Sequence, residues 1–506
     1  MKKKIVSKVF ALLLAACTVL SACGNESGNQ SVGQTDKSET NDTVQEGEEP
    51  YTIVYAFDVW VQQADWDLVE ENLSNIVYDK IGAKVKLLPM TGANYQQEVN
   101  LMITSGEKLD LVNASARTTF SSDVTSNKLL GLDEETVRKY APDAMEVIGD
   151  YMEATTVDGK IYGFPTIRDM ASAYGLILRN DIIEKYGIDA DAGLTVEQLD
   201  DLFARIKEGE PDKYVTQPQS QGTSILESLF KTYDGLGDTM GVLMDWGQGD
   251  LTVQNLFDTE YYEECVRKAR EWNEKGYILP DASTNPDTGV AYFKTGKVAS
   301  TMSLIHPGVP TDSTNMTGIP CSTAIVNTQT VGAVIQSIPV SCKNPEKVLE
   351  FVNLLYSDAE VYNALVWGIE GTHYQHVKGS EKWITYPDGV TGETSGYTLS
   401  ATYAFGNRYL SYIWNTDPED LNEKYEEFND NAIKSKALGF VFDTTPVKAE
   451  AAAVQAVMDE YRLPLENGVI DPDENLPKFR QALKDAGIDT VIAEKQRQLD
   501  EWAATK

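Results

Sequence analysis

The sequence predicts an α/β body that ends in a helical C-terminal extension. Three observations carry this reading: strand–helix–strand–helix–strand order over residues 51–113, a second strand–helix alternation from Tyr174, and a last stretch with helical periodicity alone. Such alternation implies a mostly parallel sheet with right-handed crossovers. At about 100–200 residues per domain, 506 residues allow two to four domains or one large two-lobed body with a substantial core. A net charge of −35 argues against partners with phosphate backbones and against basic-patch binding to anionic lipid.

Residues 1–22 read as a removable leader. Lys2, Lys3, Lys4 and Lys8 precede the apolar run Val9–Leu20, which is too short to span a bilayer comfortably. The leader ends Leu20-Ser21-Ala22-Cys23-Gly24, which resembles the bacterial lipobox and implies a lipid on Cys23. Its loss removes four lysines and no acid, deepening the charge from −35 to −39. Residues 23–50 hold seven acids against Lys37 and almost no apolar side chain, so they read as a disordered acidic tether. Its r.m.s. span is roughly 30 Å. Cys265, Cys321 and Cys342 then remain, with no metal-ligand spacing. A Cys321–Cys342 disulfide is an option, and three free thiols are the favoured state.

In the body, Tyr51–Val59 alternates like a strand, and Asp65–Ile81 has a 3.6-residue apolar period stopped by Gly82. Lys84–Leu88 reads as a strand, Asn94–Ser105 as a helix and Leu109–Asn113 as a strand. Ligands on parallel sheets gather at the C-terminal strand ends, here the loops that begin at Trp60 and Ala114. Tyr174–Arg179 opens the second section, followed by helices at Asp181–Tyr186, Thr195–Lys207 and Glu260–Gly276. Glu346–Tyr356 forms a helix behind Asn344-Pro345, with Pro at its first turn. Val447–Arg462, Leu476–Ala486 and Thr490–Ala504 complete the helical end.

Several phrases stand in a characteristic order. Asp158-Gly159-Lys160-Ile161-Tyr162-Gly163-Phe164-Pro165-Thr166 precedes Leu178-Arg179-Asn180-Asp181 and Lys185-Tyr186-Gly187-Ile188. Ala291-Tyr292-Phe293-Lys294-Thr295-Gly296-Lys297-Val298-Ala299 and Lys343-Asn344-Pro345-Glu346-Lys347 follow. The set resembles the extracellular solute-binding proteins of ABC importers, in the carbohydrate-binding group that includes maltose-binding protein. Trp367-Gly368-Ile369-Glu370-Gly371, Phe405-Gly406-Asn407-Arg408, Leu438–Asp443 and Gln496–Trp502 look like its large Gram-positive lipoprotein subfamily.

The resemblance implies a type II periplasmic-binding-protein-like fold: two α/β lobes, hinge crossings, and ligand trapped between the lobes. Residues 51–167 and about 319–366 would form the first lobe; 168–318 and about 367–506 would form the second. Crossings would fall near Arg168–Ala173, Gly318–Pro320 and Trp367–Thr372. The implied protein is a monomer, lipid-anchored on the outer face of the cell membrane, that captures an oligosaccharide and passes it to ABC permease subunits. It would be a binder rather than an enzyme, without cofactor or metal.

A sugar site needs aromatic platforms and planar polar groups that hydrogen-bond in pairs. Of the eight tryptophans, Trp66, Trp272 and Trp502 lie on helical apolar stripes and read as core. Trp60, Trp246, Trp367, Trp383 and Trp414 lie in Gly-, Asp- or Asn-rich surroundings, where anchor and platform both remain open. Trp60 follows the first strand, and Ser115 and Arg117 follow the third. Alignment with maltose-binding protein puts these loops at ligand-contacting positions, and His306 roughly where that relative has a stacking tryptophan. Arg168, Asp169 and Tyr174 flank the first implied crossing; Trp246, Glu370, Tyr403 and Trp414 complete the candidates.

No nucleophile elbow, phosphate loop or zinc-protease helix occurs. Asp471-Pro472-Asp473-Glu474-Asn475 begins like a calcium loop but lacks its later Gly and Glu. Glu370, His373 and His376 are interrupted by Gly371-Thr372, which argues against a rigid metal-ligand helix. A receptor for another solute such as peptide, a receptor feeding a membrane sensor, and a surface glycoside hydrolase are the alternatives.

Overall fold

β1 (Thr52–Val59) is the axis of the first lobe, because its side chains are buried on both faces. Ile53, Tyr55, Phe57 and Val59 enter one apolar cluster, while Ala56 enters another. α1 (Trp66–Ile81) lays Val69, Leu73 and Val77 on the first cluster and stops at Gly82, whose φ of 67° suits glycine. β2 (Lys84–Thr91), α2 (Gly92–Ser105) and β3 (Leu111–Ala114) complete the alternation. In a computed structural model, which describes residues 49–506 apart from 191, 220–221, 285–294, 309–314 and 400, β1 pairs in parallel with both β2 and β3. The leader, most of the tether, Cys23 and residues 291–294 of the Ala291–Ala299 phrase lie outside the described residues.

Two further strands, Ile335–Ser337 and Phe164–Pro165, extend this sheet beyond β3. Ile335–Ser337 runs antiparallel to both its neighbours, so the mostly parallel pattern holds for the first three strands only. These are the strands by which the chain leaves the sheet and returns to it. The second lobe is built on Ala173–Arg179, flanked antiparallel by Ser300–Ile305 and Met316–Pro320. Helices Val196–Gly209 and Glu260–Glu274 cover it with Leu199, Phe203, Ile206, Val266 and Trp272. The last three helices, Lys448–Glu466, Pro472–Ala486 and Ile488–Ala503, bury Val454, Leu476, Phe479, Val491 and Leu499 in the same core.

The passages between lobes meet side by side. Ser172 and Ile325 exchange backbone N–H···O bonds of 2.9 and 3.0 Å, and Ile325–Val326 pairs in parallel with Ile433–Lys434. The first passage therefore runs through Thr166–Ser172. The second lies a few residues beyond the expected Gly318–Pro320, a segment that is itself an edge strand of the second sheet.

The third passage corrects the sequence expectation. Trp367, Tyr374, Ile384, Ala401 and Phe405 are buried in the first core, so the chain does not cross at Trp367–Thr372. It crosses near Ile433–Phe440, where Leu438 joins the first core and Phe440 the second. Most of the stretch from residue 367 to 432 thus packs with the first lobe. Cys265, Cys321 and Cys342 are free thiols; Cys321 packs on the second core and Cys342 on the first. No helix among the described residues is long and apolar enough to cross a membrane.

Candidate functional site

The chain leaving Phe164–Pro165 places Arg168 and Asp169 between the lobes, where a cavity of about 590 Å³ opens. Asp169 is 7% exposed and still ionic, because its partners converge on it. Its Oδ1 accepts from Arg408 Nη1 at 2.9 Å, and its Oδ2 lies 3.1 Å from His306 Nδ1. Arg168 donates from Nη1 to the Asp169 carbonyl at 2.7 Å and from Nη2 to the Thr330 carbonyl at 2.9 Å. Its Nε is a buried donor with no protein partner among the described residues.

Burial works to raise the Asp169 pKa, but the cationic neighbours outweigh it and hold the carboxyl below the usual carboxylate range. Burial lowers the His306 pKa more than Asp169 raises it, so the imidazole is neutral at pH 7. Of the groups that lower the Asp169 pKa, His306 acts most strongly while it is protonated, and Arg168 and Arg408 follow. The contact with Asp169 places the imidazole proton on Nδ1 and leaves Nε2 as an acceptor.

Arg408 reaches this centre because the loop that bears it is sewn to the first passage. Arg408 N–H donates to the Ile167 carbonyl at 2.8 Å, and Ile167 N–H donates to the Gly406 carbonyl at 2.9 Å. Gly406 cannot be replaced cheaply: a Cβ there would lie 2.1 Å from the Leu355 carbonyl oxygen. The guanidinium then lies 4.1 Å from the Tyr425 ring centre and donates to its hydroxyl at 2.9 Å.

Aromatic faces line the rest of the cavity. Trp414 stacks on buried Trp367 at 5.7 Å and 29° and meets Tyr386 edge-on at 4.6 Å. Trp367 is anchored by its Nε1–H to Ser411 Oγ at 3.0 Å. At the rim, Trp60 is 86% exposed and donates from Nε1 to the Tyr403 hydroxyl at 3.0 Å.

A second compartment, about 370 Å³, lies between Arg117, Gln329 and Thr330 on one side and Tyr174, Lys231 and Glu227 on the other. Arg168 links the two spaces, since it lines the first and binds the carbonyl of Thr330 in the second. The Lys231 ammonium lies 5.5 Å from the Tyr174 ring centre.

Of the sequence candidates, Arg168, Asp169, His306, Tyr403 and Trp414 line the larger cavity, and Arg117 and Tyr174 the smaller. Trp60 joins through Tyr403. The other three lie elsewhere. Trp246 is buried beneath Tyr174, stacked at 6.3 Å and 12°, so it is an anchor and not a platform. Ser115 accepts the Arg117 N–H on its Oγ at 3.3 Å and lines neither cavity. Glu370 is exposed in a turn bridged to Tyr374 and lines neither cavity. Neighbouring His373 is committed to the Ile369 N–H on Nδ1 and to Asp65 through Nε2. The sequence reading missed Arg408, Tyr425, Tyr386 and Lys231; only Arg408 had a signal, as the last residue of Phe405-Gly406-Asn407-Arg408.

Two lobes joined by three adjacent passages, with polar and aromatic groups facing a space between them, define a solute-binding protein. The chain belongs to the bacterial extracellular solute-binding protein family, whose model matches residues 62–362. Residues 436–504 match a domain of unknown function, DUF3502. A carbohydrate ABC transporter substrate-binding protein of Streptococcus pneumoniae is 26% identical over 511 residues, covering 98% of each chain. Among solved structures, the N-glycan transport solute binding protein NgtS of S. pneumoniae matches with a TM-score of 0.77 at 24% identity, over 90% of this chain and 99% of that one. The S. pneumoniae substrate-binding protein FusA with kestose matches at 0.63 and 18% identity, over 90% and 100%.

Proposed function

We propose that this chain captures an oligosaccharide between its lobes and delivers it to the permease of an ABC importer. The observation that carries the reading is the larger cavity. At about 590 Å³ it falls within the roughly 300–1,000 Å³ of ligand pockets. Its ring faces, on Trp414, Tyr386 and Tyr403, suit the C–H faces of sugars. Its fixed polar groups, on Arg168, Asp169, Arg408 and Asn422, suit paired hydroxyls. In this reading His306 Nε2 accepts from a sugar hydroxyl, Trp60 extends the platform at the rim, and Arg117 and Tyr174 receive a further sugar unit. The curated relative, a carbohydrate ABC transporter substrate-binding protein by name, supports the substrate class. A solved neighbour in complex with Man1GlcNAc supports it further. A neutral sugar suits a protein of charge −35 better than an acidic one.

The protein acts as a binder without turnover, as a monomer held to the outer membrane face by a lipid on Cys23. Titration calorimetry and thermal shift against mannose–N-acetylglucosamine, fructose-based and uronic-acid oligosaccharides and peptides test the reading. One neutral oligosaccharide binds with unit stoichiometry and is recovered unchanged; at 100 times its Kd it adds about 2.7 kcal/mol of stability. Response to peptides alone, or catalytic consumption of the sugar, overturns it. Palmitate labelling of cells, lost in Cys23→Ala, tests the anchor.

A further inference from the structure

The last helix carries a lysine in the core. Lys495 is 0% exposed and lies on the buried stripe of Val491 and Leu499. Its ammonium donates to the Asp238 carboxylate and, at 3.3 Å, to the Gly241 carbonyl, and it lies 4.8 Å from the Phe442 ring centre. A buried ammonium is tolerated only when it is paired and hydrogen-bonded, so its partners deserve a reason.

Asp238 belongs to the loop 235–241, which is strained. Leu236, Gly237, Thr239 and Gly241 have φ of 47°, 102°, 61° and 147°. For Leu236 and Thr239 such a backbone persists only where the surroundings over-determine it. They do so from two sides. Asp234 Oδ1 accepts the Leu236 N–H at 3.1 Å and Asn327 Nδ2 at 3.0 Å, which fixes the loop's start to the second passage. Asp238 Oδ1 accepts the Met240 N–H at 2.8 Å, and Lys495 holds that carboxylate and the carbonyl at the loop's end. Gly235, Gly237 and Thr239 line the second compartment, opposite Arg117 and Gln329.

We propose that the C-terminal domain of unknown function positions the ligand cleft: Lys495 clamps Asp238 and Gly241, so that loop 235–241 keeps the backbone that lines the second compartment. Lys495 touches no ligand and is a positioning residue. The clamp stands on geometry alone; only the sugar used to probe it rests on the function proposed above.

Lys495→Met in the full body 51–506 tests the clamp by hydrogen exchange and by calorimetry with a mannose–N-acetylglucosamine oligosaccharide. Amides of residues 234–241 exchange at least tenfold faster in the variant, while helix Val196–Gly209 of the same lobe keeps its protection, and sugar affinity falls about tenfold. Unchanged exchange over 234–241, or uniform acceleration across the second lobe, overturns the proposal. If Lys495→Met does not fold, Lys495→Met/Asp238→Asn leaves no unpaired buried charge and is held to the same two outcomes. A wild-type protein that binds no sugar counts against the proposed function, while the exchange pattern still decides the clamp.

Discussion

Glu466 is a buried carboxyl on which burial and hydrogen bonds pull in opposite directions. It is 5% exposed at the end of helix Lys448–Glu466. Its Oε2 accepts from Ser224 Oγ at 2.5 Å, its Oε1 accepts from Tyr262 Oη at 3.2 Å, and Arg462 Nε lies 3.8 Å away. Burial dominates these favourable contacts and raises its pKa from 4.5 to about 6. The folded state therefore binds this proton more tightly than the unfolded chain. The stabilisation is fully present below pH 4.5 and is lost as pH rises through 6. At about 1.4 kcal/mol per pH unit the loss is about 2 kcal/mol by pH 7.5. Glu466→Gln keeps the shape and hydrogen-bonding capacity but fixes the group neutral. The two proteins have equal stability near pH 4.5, and the variant is about 2 kcal/mol more stable at pH 7.5. Urea unfolding of both proteins from pH 4.5 to 8 measures the difference, and the pH dependence of groups not coupled to Glu466 cancels. A pH-independent difference, or wild type gaining relative to the variant as pH rises, refutes the reasoning.

Four further outcomes follow from the site. Trp414→Ala removes the stacked platform and weakens binding of the mannose–N-acetylglucosamine probe ten- to a hundredfold by calorimetry, about 1.5–3 kcal/mol. Trp60→Ala and Trp246→Ala separate platform from anchor: the exposed residue changes affinity with unchanged Tm, while the buried one costs about 3–5 kcal/mol in urea unfolding. Gly406→Ala, whose Cβ would lie 2.1 Å from the Leu355 carbonyl, lowers stability by at least about 1–3 kcal/mol in thermal unfolding. His306→Ala lowers sugar affinity and reduces the ligand-induced decrease in radius of gyration seen by small-angle X-ray scattering, because His306 comes from the second lobe.

Strong local patterns made the first lobe legible. The apolar period of Asp65–Ile81 and its Gly82 stop require no tertiary information, and the observed helix Trp66–Ile81 follows them closely. The third passage was not legible. Trp367-Gly368-Ile369-Glu370-Gly371 has the glycines of a hinge, yet they make a tight turn that brings the His373 ring to the Ile369 N–H. A Cβ on Gly368 would lie 2.5 Å from His373 Nδ1, so the glycine serves packing and not motion. Trp246 and Trp414 sit in similar local sequence, and only their partners make one an anchor and the other a cavity wall. Arg408 meets Asp169 across 239 residues, a pairing no local pattern encodes.

Moving the third passage to Ile433–Phe440 changes what the cavity is. Tyr403, Arg408, Trp414 and Tyr425 then belong to the chain that packs with the first lobe, while His306 and Gly308 come from the second. Asp169, on the first passage, binds both sides through Arg408 and His306. A ligand that touches the aromatic wall and the His306 loop together gains contacts only when the lobes stand close, and that differential affinity is what closure requires. Charge is not the main driver, since the ionic side chains that line the cavity, Arg168 and Arg408 against Asp169 and Asp417, sum to zero while His306 is neutral. On the function proposed above, closure is then selected by ring stacking and hydroxyl hydrogen bonds. Under the same proposal the site is expected to discriminate sugars by shape and to respond weakly to salt, in a protein whose surface is otherwise dominated by negative charge.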